Sequence, residues 1–216
     1  MRVPARGVAL GNDTKGSPEN RDKKVGHKVA VESTMLPLGT PAPEFELPSV
    51  DGGTFRLGDF SENDALLVMF ICNHCPYVRH VEKELSTIVN DFSDRGLAAV
   101  GICSNDVAQE PEDTPEGLRE QIERVGFTFP YLIDESQDVA QAYKAACTPD
   151  LYLFDSDRKL AYRGRLDASR PRSDEPITGE DLRKAIEAVL AGRDVPDEQM
   201  PSMGCSISWK PGNEPT

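Results

Sequence analysis

The most constraining stretch of the chain is Phe70-Ile71-Cys72-Asn73-His74-Cys75-Pro76-Tyr77. It places two cysteines three positions apart at a change of pattern. Before them runs Ala65-Leu66-Leu67-Val68-Met69-Phe70-Ile71, apolar throughout, as a strand buried on both faces would be. After them Val78, Val81, Leu85, Ile88, Val89 and Phe92 fall on one face of a helix. Pro76 suits a first-turn position, where its missing N–H costs nothing. A second apolar run, Leu97 to Cys103, completes a β-α-β unit, whose crossover is right-handed. A C-x-x-C at the junction of strand and helix is a redox signal.

The remaining segments extend this unit. Residues 41–48 and 54–57 alternate apolar and polar around the turn Asp51-Gly52-Gly53, which predicts an N-terminal β-hairpin. Residues 104–116 are polar and acidic, a loop. A second helix starts at Pro115, a short strand covers Phe129–Asp134, and a short helix covers Asp138–Ala146. Leu151–Asp155 and Leu160–Gly164 read as a hairpin, and Gly179–Ala191 as the last helix. The expected fold is α/β, a central mixed sheet with helices on both faces and an N-terminal β-hairpin. One domain is expected over 37–191. It follows a leader, 1–36, of disordered composition and precedes a tail, 192–216, without regular structure. Met35 is a candidate natural start.

A formal net charge of −13 argues against nucleic acid and against an anionic membrane surface as partners. No apolar stretch is long enough to cross a membrane, and no apolar core follows Arg2 and Arg6. The expected location is the cytoplasm. Five cysteines is an odd number, and only two share a recognised spacing. In a reducing compartment such a pair is catalytic or metal-binding rather than structural.

The order of elements, the C-x-x-C at a strand end and Thr148-Pro149 before a later strand together resemble the thioredoxin-like superfamily. The segments PAPEFELPSVDG, FTFPYLIDES, ACTPDLYLFD and LAYRGRLD resemble its peroxiredoxin-like, AhpC/TSA-related branch. CNHCPYV and the C-terminal GCSISWKPGNEP look like one bacterial subgroup, so the resemblance spans roughly residues 37–211. It implies a thioredoxin-like fold, with Thr148-Pro149 as a cis-proline loop facing the cysteines and docking an extended substrate. It also implies that His74 favours the thiolate.

Thiol–disulfide exchange needs an exposed thiolate and a second thiol within reach. Cys72, expected to be exposed at the strand end and acidified by the helix N-terminus, is the predicted attacking thiol. Cys75, one turn in, is the predicted resolving thiol. Cys205 is a candidate third thiol that resolves a disulfide with Cys72. Cys103 and Cys147 read as small buried hydrophobes. His80 reads as a solvated or capping residue, His27 has no assigned role, and Glu110-Pro111-Glu112-Asp113 reads as a solvated loop. A zinc site on Cys72, Cys75 and His74 lacks a second Cys/His pair, so no metal or other cofactor is expected.

Peroxiredoxins carry P-x-x-x-T-x-x-C. Here Val68 stands at the proline, Cys72 at the threonine and Cys75 at the peroxide-reacting position, while Pro149 falls near the expected arginine. Against thioredoxin itself, Ile71 replaces an aromatic residue, and strand 65–71 lacks a buried acid. The leading reading is a thiol–disulfide oxidoreductase acting on a protein or small-molecule disulfide or thiol; the sequence names no electron donor. The alternatives are a thiol peroxidase reducing hydroperoxides and a non-catalytic thioredoxin-like binding module.

Overall fold

The structure, a computed structural model, describes residues 30–215. The strands are β1 (Ala30–Glu32), β2 (Glu46–Pro48), β3 (Thr54–Arg56), β4 (Ala65–Phe70) and β5 (Leu97–Cys103). They continue with β6 (Tyr131–Ile133), β7 (Cys147–Thr148), β8 (Asp150–Phe154), β9 (Leu160–Gly164) and β10 (Met203–Ser206). The helices are α1 (Pro76–Ser93), α2 (Pro115–Val125), α3 (Asp138–Ala142) and α4 (Glu180–Leu190).

A five-stranded sheet runs in the order β6-β5-β4-β8-β9. β4 pairs parallel with β5 and antiparallel with β8, so the sheet is mixed, as expected. All six residues of β4 are buried, which is why its sequence shows no alternation. Leu67, Met69 and Ile71 pack with Leu85 and Ile88 of α1 and with Leu182 and Ile186 of α4. Leu66, Val68 and Phe70 pack on the opposite face with Leu47, Phe60, Tyr143, Tyr152 and Phe154. Each such side chain stabilises the fold by about 1.5–3 kcal/mol when fully buried. The crossover from β4 through α1 to β5 puts the two cysteines at the carboxyl edge of the central strand, where α/β sheets place their sites.

The β2–β3 hairpin forms as predicted, although shorter. The helix expected over Asp138–Ala146 stops at Ala142, and the chain then turns extended into β7.

Both flanks depart from expectation. Residues 1–29 of the expected leader, His27 among them, lie outside the described residues. Residues 30–32 of the same leader form β1, paired antiparallel with β10. The tail expected to be irregular supplies β10, which also pairs antiparallel with β7. Beyond it Ile207 is buried, and Trp209 packs half-buried against the second core face. The Gln109 side chain donates to the Trp209 carbonyl at 2.8 Å, and Gln137 Nε2 donates to the Ser208 carbonyl at 2.9 Å. The tail is ordered by strand pairing and by side-chain hydrogen bonds, neither of which shows as hydrophobic periodicity. Among the described residues no helix is long and apolar enough to cross a membrane.

Candidate active site

Cys75 caps α1, with Pro76 at its first position. Cys72 lies just past the end of β4, where Ile71 N–H still donates to the Ile102 carbonyl at 3.0 Å. Cys72 was expected to be exposed; it is 0% exposed, as is Cys75. Thr148 of β7 lies against both sulfurs and Cys205 of β10 against Cys75, neighbours that a reading of the strand end alone could not include.

Thr148 meets both sulfurs. Its hydroxyl lies 3.3 Å from Cys72 Sγ, and its carbonyl accepts from Cys75 Sγ at 3.1 Å. The Thr148–Pro149 bond is cis. The structure thus brings Cys72, Cys75, Thr148 and Pro149 together, as the resemblance implies. Cys205 joins them: it sits directly across the β10–β7 ladder from Thr148 and is hydrogen-bonded to Cys75, the predicted resolving thiol.

The two thiols are electrostatically unequal. Burial pushes Cys72 well above the ordinary thiol value, and its hydrogen bond to Cys75 and the nearby Asp113 carboxylate push the same way. Burial also opposes ionisation of Cys75. There hydrogen bonds from Cys205, Cys72 and Thr148 outweigh it and hold the group well below the usual value. In the closed site Cys75 is therefore the more acidic thiol of the pair and Cys72 the one that holds its proton more tightly. Burial likewise pushes Cys147 up, and Cys147 and Cys103 are both buried, as expected for small hydrophobes.

The C-x-x-C loop is held by a residue that the sequence reading left in a solvated loop. Asp113, 2% exposed, ends a short 3-10 turn, Pro111–Asp113. Its Oδ1 accepts from Asn73 N at 2.8 Å and from His74 N at 3.0 Å. Its Oδ2 lies 2.7 Å from His74 Nδ1 and accepts from Asn105 Nδ2 at 2.8 Å. Burial works against the carboxylate, but these bonds and the His74 charge leave Asp113 below the usual carboxyl range. On its other side His74 Nε2 faces Glu110 Oε2 at 3.4 Å. Two carboxylates stabilise the ring when it carries both protons. Asn73 is fixed further by Arg124 Nη2, donating to its Oδ1 at 2.9 Å, and by Arg79 Nε, donating to its carbonyl at 2.7 Å. The Cys72 carbonyl accepts from buried Gln121 Nε2 at 3.2 Å. The one sequence-level hint of Asp113 was its position in the loop after β5, at the same carboxyl edge as the cysteines.

Donor atoms of Cys72, His74 and Asp113 lie within 4.8 Å of one another. That spacing is compatible with a metal, but each Asp113 oxygen already takes two hydrogen bonds within the loop. The carboxylate is saturated as a loop anchor and is a poor ligand. His80, read as solvated or capping, is half-buried, with Nε2 3.1 Å from Ser169 Oγ.

One further acid lies beside the loop. Asp150 is fully buried at the start of β8, and its Oδ1 has no hydrogen-bond partner. Burial pushes its carboxyl up to about 7, against hydrogen bonds from Ala146 N and Tyr152 Oη to Oδ2. Between the unfolded carboxyl value near ~4 and about 7, the folded protein holds a proton that the unfolded chain has released. Stability from this group therefore falls as the pH rises through that window, by at most about 1.4 kcal/mol per pH unit. Asp150→Asn is expected to remove that slope. Urea unfolding of wild type and variant at pH 4.5, 6 and 7.5 checks it; a constant difference between the two across the series would refute it.

Residues 38–163 match the AhpC/TSA family. The solved structure of an uncharacterized conserved protein from Geobacillus kaustophilus is 54% identical, with a TM-score of 0.83, covering 85% of this chain and 98% of that one. A Mycobacterium tuberculosis protein provisionally named a peroxiredoxin is 28% identical over 121 residues, 56% of this chain and 72% of its own length. Thiol-disulfide oxidoreductase ResA of Geobacillus thermodenitrificans is 25% identical over 160 residues, 73% of this chain and 81% of its own. The thioredoxin-like fold is shared with solved thiol–disulfide oxidoreductase domains. With a matching segment that holds the C-x-x-C, the Asp113 anchor and the Thr148-Pro149 loop, the chain belongs to the AhpC/TSA family.

Proposed function

We propose that this protein is a thiol–disulfide oxidoreductase that cycles Cys72 and Cys75 between dithiol and disulfide. The observation that carries the reading is the convergence of both sulfurs on Thr148, its hydroxyl against Cys72 and its carbonyl against Cys75. When the cover opens, Cys72 loses the burial that keeps it protonated. Its proton passes to solvent, and the Cys72 thiolate attacks a substrate disulfide held along the Thr148-Pro149 loop. One substrate sulfur leaves as a thiol, and Cys72 is joined to the other. Cys75 then displaces that sulfur and closes the Cys72–Cys75 disulfide. The substrate, a protein or small-molecule disulfide, gains two electrons and two protons. His74, bracketed by Asp113 and Glu110, offsets the Asp113 charge that would otherwise disfavour a Cys72 thiolate. Five buried thiols suit a reducing compartment, so the reading includes the cytoplasm.

A peroxidase reading is favoured by one observation. Cys75, at the peroxide-reacting position of the family pattern, is the more acidic thiol of the pair. Stopped-flow mixing of the reduced protein separates the two. A disulfide-bonded peptide is expected to oxidise the Cys72–Cys75 pair faster than hydrogen peroxide does at equal concentration. Faster consumption of peroxide would sink the oxidoreductase reading.

A further inference from the structure

β10 occupies the position along β7 that an extended substrate would take. It pairs antiparallel with Cys147 and Thr148, and β1 pairs with its other edge. The approach is tight enough to require glycine: a Cβ on Gly204 would lie 2.0 Å from the Thr148 carbonyl oxygen. The next residue is Cys205. Directly opposed residues of an antiparallel pair point to the same face, so Cys205 shares the face of Thr148 that holds Cys72 and Cys75. Cys147, one residue earlier, points to the opposite face. Cys205 is buried and hydrogen-bonded to Cys75. The chain thus carries, in its own substrate position, a cysteine against its own site.

We propose that Cys205 is a third exchanging thiol that forms a disulfide with Cys75 and fastens β10 over the site. Starting from the Cys72–Cys75 disulfide, the Cys205 thiolate attacks Cys75 Sγ. The Cys75–Cys205 bond forms, the Cys72–Cys75 bond breaks, and Cys72 leaves with the electron pair and takes the proton that Cys205 released. No external oxidant is needed, because one disulfide replaces another. The protein then holds Cys72 as a thiol under a covalently closed cover, a resting state that a reductant releases. The inference rests on the redox reading of Cys75 given above, and extends it from a two-thiol to a three-thiol site.

The test needs no substrate turnover. Cys72→Ser protein is oxidised with diamide, which accepts the two electrons and two protons, then alkylated, digested and mapped. Cys75 joined to Cys205 within one chain is expected, with loss of Cys205 alkylation and retention of alkylation at Cys147. Cys205 still alkylated, with Cys75 in intermolecular dimers, overturns the proposal. Should Cys72→Ser fail to fold, the same mapping is done on wild type oxidised by a peptide disulfide and quenched in acid. There a Cys75–Cys205 peptide beside the Cys72–Cys75 one supports the proposal, and its absence refutes it. Gly204→Ala, which lifts β10 from Thr148, is expected to raise alkylation of reduced Cys75 by about tenfold or more; an unchanged rate refutes the role of β10 as the cover. Disulfide turnover by wild type without a Cys75–Cys205 bond fails this inference alone. The bond without turnover fails the oxidoreductase reading alone.

Discussion

Cys72→Ser is expected to lower kcat/KM for a peptide disulfide by about 10³-fold or more, the scale on which removal of an attacking nucleophile acts. Cys75→Ser is expected to fail differently. Its Cys72 still attacks, but the mixed disulfide is not resolved, so one equivalent of substrate is bound covalently and turnover stops. Cys205 is not expected to rescue it, because its hydrogen-bonded partner is residue 75. Mass spectrometry of each variant after one addition of substrate distinguishes the outcomes. An adduct is expected at Cys72 in Cys75→Ser and none in Cys72→Ser. Peroxide turnover lost in Cys75→Ser but kept in Cys72→Ser would transfer the catalytic role to Cys75 and the protein to the peroxidases.

Asp113→Ala is expected to destabilise the fold by about 3–5 kcal/mol, the range for removing one partner of a buried charged pair. The loss strands four donors at once: the amides of Asn73 and His74, His74 Nδ1 and Asn105 Nδ2. Asn105 also accepts from Ser208 N at 2.8 Å, so the defect reaches the segment behind β10. The pH dependence has the opposite sign to that of Asp150. The Asp113 carboxyl is held below its ordinary value, so its contribution is present above pH ~4 and is lost as the pH falls through the lower folded value. Urea unfolding at neutral pH measures the first effect, and a loss under about 1 kcal/mol would show that the loop is held by other groups. Asp113→Asn keeps one acceptor oxygen for the two backbone amides but turns an NH₂ toward His74 and Asn105. It is expected to fall between wild type and alanine.

The parts legible in the sequence are those with local chemistry. The β4–α1–β5 unit follows from an uninterrupted apolar run, a helical face and a proline at the helix start. The cysteine pair was found because its spacing and flanks are distinctive, whereas the loop facing it was implied only by the family resemblance. Asp113 was missed because burial of an acid depends on which donors surround it. Those donors come from residues 73, 74 and 105, separated from it in sequence and brought to it by the sheet. β10 was missed because Met203-Gly204-Cys205-Ser206 has a glycine where strand propensity is sought and no alternation to betray it. Its conformation is imposed by the open edges of β1 and β7. The expected exposure of Cys72 failed for the same reason: a strand end looks open until the segment that covers it is known.

The chain has a single tryptophan, Trp209, four residues beyond Cys205 in sequence. It packs half-buried on the core face away from the thiols, tethered through its carbonyl to Gln109. An indole in that place emits according to how far the segment carrying β10 has left the sheet. The protein therefore contains its own fluorophore on the segment that the proposed opening would displace, with no competing indole elsewhere. Uncovering of the site and its closure by oxidation become optical events, readable in the unlabelled molecule on the timescale of the chemistry.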